Sequence, residues 1–134
     1  MDYSKMSDQE INRLVARRFS ETYLFNEEGN PYQLIPDSMA AYSGSDFDEV
    51  EFQPCGNPAD AWPIIVGNKI SIRPHGKNKW YCHKNTGMTI TQRSETSNQM
   101  ECQHENPLRA AMIVFLKMQE SANVPANPPG TDLL

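Results

Sequence analysis

The sequence predicts an α+β fold, a small antiparallel sheet of three to four strands backed by two helices with a further N-terminal helix. Three observations carry this. Two stretches open with Asn-Pro and run on into apolar residues at helical spacing, "NPADAWPIIVGNKISI" from Asn57 and "NPLRAAMIVFLKMQES" from Asn106. Between them lie short segments that alternate apolar and polar residues, as half-buried antiparallel strands do. Ahead of both, Ser7 and Glu10 form a capping box before Ile11, Leu14, Val15 and Phe19.

In the first helix those four apolar residues share one face, and Arg13, Arg17 and Arg18 line the other. Residues 26–46 carry Gly, Pro, Asn and Ser at turn density and read as irregular. "DFDEVEFQP" then alternates Val50 and Phe52 against Glu49 and Glu51, a short strand. Asp46, Asp48, Glu49 and Glu51 are oxygen donors of the type that holds Mg²⁺. They lack the glycine and spacing of a calcium loop and read instead as an acidic surface segment.

In the second helix Asn57 caps, Pro58 fits the first position and Asp60 complements the dipole. Pro63 kinks or shortens it, Gly67-Asn68 ends it, and Trp62 reads as a packing anchor. "KISIRP", "WYCHK" and "MTITQRS" then read as three strands, with "HGKNK" as a hairpin connection. Trp80 and Cys82 fall on one face, and Tyr81 and His83 on the other. The closing helix has Asn106 as cap, Pro107 first, and Glu105 placed to pair with Arg109. Leu108, Ala111, Met112 and Phe115 make its main stripe, widened by Val114, Leu116 and Met118. So apolar a helix must be covered nearly all round, by a second layer or another subunit. Ile113, on its narrow polar edge, suggests a homodimer contact.

The chain thus divides into residues 1–52, a helix and acidic irregular segment packed on the core; 53–121, an α-β-β-β-α core; and 122–134, a disordered proline-rich tail. Its 134 residues suffice for one modest core. Mean hydropathy of -0.65 leaves part of the chain to loops and tail. No signal peptide opens it and no apolar run reaches a membrane span's length, so a soluble protein is expected, without membrane contact. Three cysteines, an odd and sparse set, point to a reducing cytosol rather than a disulfide framework. Residues 1–52 hold eleven acids against four bases, residues 53–105 four against six, and the rest two of each. The overall charge of -5 opposes general nucleic-acid affinity, while the mildly basic middle leaves room for a local anion site.

Three constellations bear on chemistry. Cys55, His75, Cys82, His83, Cys102 and His104 are zinc-ligand types, with Cys82, Cys102 and His104 the nearest to a set, but no Cys-x-x-Cys is present. Cys82 and His83 point to opposite strand faces and cannot pair, whereas Cys102 and His104 share a side. The sheet's polar face brings Lys69, Arg73, Tyr81, His83 and Arg93 together, bases interleaved with an aromatic ring that can hold phosphate and stack a planar group. The acidic run Asp46, Asp48, Glu49 and Glu51, with Ile113, is the candidate partner or dimer surface. No phosphate loop, nucleophile elbow or His-Glu-x-x-His occurs, so neither catalysis nor a cofactor is expected.

The two Asn-Pro blocks, with "DYSKMSDQEINRLVA" at the start, resemble the NinX-type family of small lambdoid phage and prophage proteins, over roughly half the chain. The resemblance implies a temperate-phage accessory protein in the bacterial cytoplasm and brings no catalytic residues with it. The helix–strand–strand–strand–helix order is similar to that of double-stranded-RNA-binding domains. Their lysine-rich last helix has only Arg109 as a counterpart here. The leading expectation is a non-enzymatic protein that binds a host or phage partner. Nucleotide or nucleic-acid binding by the basic face, and a zinc-dependent hydrolase, stand as alternatives.

Overall fold

The computed structural model describes residues 2–36, 47–84 and 100–123, with residues 122 and 123 by backbone only. A single 3₁₀ turn, Tyr3–Lys5, precedes helix α1, Asp8–Arg17. Strands β1, Leu24–Phe25, β2, Pro31–Pro36, and β3, Phe47–Glu51, form one antiparallel sheet in that order. Helix α2, Pro58–Gly67, leads to β4, Ile70–His75, β5, Lys79–Lys84, and β6, Glu101–His104, a second antiparallel sheet. Helix α3, Pro107–Asn123, closes the described chain. The α+β class is as the sequence predicts, with two sheets rather than one. The strand expected over 88–94 and the tail lie outside the described residues, and β6 is the strand that pairs with β5.

The caps explain where the helices start. The Ser7 hydroxyl accepts the Glu10 N–H at 3.1 Å, Asn57 Oδ1 the Ala59 N–H at 3.0 Å, and Asn106 Oδ1 the Leu108 N–H at 2.9 Å. Helix α2 runs through Pro63, which has no N–H to offer the Ala59 carbonyl, and stops where Asn68 Nδ2 donates to the Ile64 carbonyl at 2.8 Å. Lys69 then takes a left-handed conformation, φ 55°, which turns the chain into β4. Gly76, φ 68°, supplies the β4–β5 turn without a side-chain clash.

Helix α3 is the hub. It packs on α1, α2 and all three strands β4–β6, so Ala110 through Leu116 are buried on every side. Its apolar surplus is consumed within the chain. Ile113, 3% exposed, therefore offers no dimer contact: neighbouring elements surround the helix and leave no outer edge at that position. Met112, fully buried, is worth about 2–5 kcal/mol against alanine. One cluster joins residues from Tyr3 to Leu116, so α1 belongs to the same core as the second sheet.

Arg109 is a second departure. Its guanidinium, 6% exposed, does not pair with Glu105 but reaches Asp8 at 2.7 Å and the carbonyls of Met6 and Tyr3 at 2.6 and 3.1 Å. The N-terminal turn folds over this end of α3 and brings better acceptors than a neighbour on the same helix. Cys55 is gripped similarly: its N–H donates to Asn12 Oδ1 at 2.9 Å and its carbonyl accepts from Asn106 Nδ2 at 2.7 Å.

The stretch 26–46, read as irregular, instead contains β2, and Leu24–Phe25 just ahead of it form β1. Aromatic contacts root this sheet. Phe52 stacks on Tyr23 at 4.1 Å, Tyr23 meets Phe19 edge-on at 6.5 Å, and Phe19 stacks on Phe115 of α3 at 5.7 Å. Trp62 is 62% exposed rather than an anchor, because α2 turns Ala61, Ile64 and Ile65 inward and leaves Trp62 and Val66 outside.

Candidate functional site

The polar face of the second sheet is assembled by register. Arg73 lies opposite Tyr81, Ser71 opposite His83, and His83 opposite Glu101. The Arg73 guanidinium sits 4.8 Å from the Tyr81 ring centre, the His83 ring stacks on Tyr81 at 5.1 Å, and the Tyr81 hydroxyl hydrogen-bonds the Glu101 carboxylate. Tyr81 is 7% exposed. The ring expected to stack a planar ligand is thus covered, and the cation over it is engaged within the chain. Three of the five expected anion-binding residues, Arg73, Tyr81 and His83, come together. Lys69 stands exposed at the turn before β4, and Arg93 lies outside the described residues.

On the opposite face Cys82 lies across from Cys102, with His104 one step further along β6. Cys82 is fully buried and its thiol points at the Pro107 carbonyl, 3.5 Å away. Burial pushes the Cys82 and Cys55 thiols up to about 12 and raises that of Cys102. Thiols held protonated in this way are poor nucleophiles. His104 Nδ1 accepts the Asn106 N–H at 2.9 Å, which occupies one ring nitrogen. Among the described residues no three His, Cys, Asp or Glu side chains converge as a metal site would require.

The first sheet presents a different surface. Strand β3 is its outer strand and is exposed along its whole length. Asp48, Glu49 and Glu51 make it acidic; Asp46 lies outside the described residues. Strands β2 and β3 form a ribbon whose root is packed, with Pro31 and Phe52 buried, and whose outer part is open. Leu34 and Phe47 are 44% and 51% exposed on one face, and Ile35 and Val50 are each 42% exposed on the other. Sequence reasoning placed the acids but missed these apolar neighbours on β2. The run "YQLIP" carried a signal, obscured by the turn residues before it.

Two concavities flank the ribbon. A cleft of about 490 Å³ between the end of α1 and helix α2 is lined by Phe19, Tyr23, Gln33, Pro63 and Ile64 among others. A polar pocket of about 180 Å³ lies where the ribbon meets α1, lined by Gln9, Asn12, Asn30, Glu51 and Gln53, with Pro31 and Phe52. Asn12 is 8% exposed, and nothing in its position one residue past Ile11 marks it as buried.

No helix of the described residues is long and apolar enough to cross a membrane. No curated protein and no solved structure matches the chain. The family profile described as "Bacteriophage P22, NinX" matches residues 2–119, which takes in every described strand, the helices α1 and α2, and most of α3. By that match the chain belongs to the NinX family of bacteriophage proteins.

Proposed function

We propose that this NinX-family chain is a non-enzymatic phage accessory protein of the host cytoplasm that works by binding another protein, host or phage, through the β2–β3 ribbon. The observation that carries the reading is the open ribbon, with apolar side chains exposed on both faces beside Asp48, Glu49 and Glu51. A two-stranded ribbon is marginally stable alone in water, and exposed apolar patches rimmed by charge mark interaction surfaces. Helix α3, by contrast, spends its apolar surface inside the chain.

The test is affinity purification from an induced lysogen with tagged wild type and a Val50→Lys variant of unchanged circular dichroism. A protein held by wild type and lost from the variant supports the reading. Identical co-purifying proteins from both remove it.

A further inference from the structure

We infer that the outer edge of β3, at Glu49 and Glu51, takes an extended, basic segment of a partner protein as an added strand. This rests on the proposed protein-binding role and gives the partner's chemistry.

The backbone argument comes first. The Phe52 N–H donates to the Pro31 carbonyl at 3.0 Å, so Pro31 and Phe52 occupy a hydrogen-bonding pair site of the antiparallel ladder. Such sites alternate, so Val50 and Asp48 also point their backbone groups at β2, opposite Gln33 and Ile35. Glu49 and Glu51 then turn their N–H and C=O groups outward, along the edge that ends the sheet. Among the described residues no strand pairs with that edge.

The side chains select what can pair there. Phe47, Glu49 and Glu51 lie on one face and Asp48 and Val50 on the other, so an incoming strand meets acids at three of the five positions of β3 and apolar residues at two. A second copy of β3 would set acid against acid, which opposes self-pairing. A strand carrying Lys or Arg, with an apolar residue to meet Val50, is complementary.

An independent feature stands at the root of the ribbon, where β3 ends. The pocket between α1 and the ribbon's root is lined by Glu51 and Gln53 as the chain leaves β3. Asn12 Oδ1 accepts the Cys55 N–H, and its Nδ2 has no hydrogen-bond partner among the described residues. That donor is not sealed from solvent, and the residue lines the pocket. Asn12 thus offers a preset donor to a carbonyl at the end of the added segment, while Glu51 meets its cation.

The experiment uses the full chain and a short fluorescent peptide in which lysine alternates with valine, against one in which glutamate alternates with valine. The lysine peptide binds, more weakly as salt rises, and the glutamate peptide does not. Joint Glu49→Lys and Glu51→Lys substitution reverses that order. Glu49→Pro removes an outward N–H without touching the β2 ladder and weakens binding by about tenfold. Hydrogen exchange at the Glu49 and Glu51 amides slows when peptide is added. Failure of the lysine peptide to bind, equal binding of both peptides, or undiminished binding to Glu49→Pro overturns strand addition. If strand addition fails while Val50→Lys still loses a cellular partner, the protein-binding role survives. If the lysine peptide binds as described while no cellular protein depends on the ribbon, that role falls and the edge chemistry stands.

Discussion

Replacing Arg109 by alanine and, separately, Asp8 by alanine separates a buried clamp from an ordinary ion pair. Arg109 is 6% exposed, whereas the Asp8 side chain is 53% exposed. Asp8→Ala removes one charged acceptor and leaves the guanidinium bonded to the Tyr3 and Met6 carbonyls, with water able to replace the carboxylate. Solvent screening holds that cost to about 1 kcal/mol. Arg109→Ala leaves both carbonyls without the guanidinium and deletes a buried aliphatic stem. The stem is worth about 2 kcal/mol at roughly 0.8 kcal/mol per methylene, and two weakened acceptors add about 1 kcal/mol each. Relief of guanidinium desolvation, together with the unpartnered Nε, offsets part of this, so about 3 kcal/mol remains. Urea unfolding followed by circular dichroism reads both values from the midpoints at unchanged slope. A loss below about 1 kcal/mol for Arg109→Ala, or a larger loss for Asp8→Ala, refutes the clamp.

Asn106→Ala removes the α3 cap and a bond to the Cys55 carbonyl, and should cost about 2 kcal/mol by the same urea assay. Trp62→Ala should change stability by no more than about 0.5 kcal/mol, since the ring is 62% exposed; Ile65→Ala, 4% exposed, should cost about 2–5 kcal/mol. Cys55 and Cys82 have folded-state values raised from 9.0 to about 12 by burial, so the fold favours neutral thiols. That contribution is whole below pH 9 and is lost as pH rises from 9 towards 12; the urea midpoint should therefore fall across that range, and fall less in Cys82→Ala. The native protein should also react slowly with a thiol reagent at neutral pH, all three thiols becoming reactive in denaturant.

The helices were legible because each carries several independent signals that agree. Asn106 caps, Pro107 cannot donate, and the residues from Leu108 to Leu116 are apolar at helical spacing. The sheet that bears the ribbon was legible only in β3, from the alternation of "DFDEVEFQP". Gly29, Asn30 and Pro31 precede β2 and Pro36 ends it, and such residues read as loop. Proline is tolerated at Pro31 because it is the first residue of the strand, where its missing N–H breaks only one rung. Strand β6, "ECQH", has Cys102 as its sole apolar residue, so no alternation announces it. Trp62 was misplaced for a geometric reason. Helix α2 carries apolar residues on both sides, and only its neighbours decide which side turns inward.

The candidate site was half visible for a related reason. Charge is readable without a fold, so Asp48, Glu49 and Glu51 stood out as a surface. Whether Leu34 and Ile35 are buried or exposed depends on how far a ribbon projects beyond its root, which no local pattern encodes. The same limit left the reading of α3 as a core helix open as to what covers it, and misplaced Ile113. A helix apolar all round is ambiguous between a hub and a subunit contact, and seven apolar residues in a row, Ala110 to Leu116, cannot separate them. Here three strands and two helices close around it, so the covering it required is supplied within one chain. The apolar surface still uncovered has therefore shifted to α2 and the ribbon. At the ribbon it lies beside Asp48, Glu49 and Glu51, whose like charges would oppose pairing with a second copy of that edge.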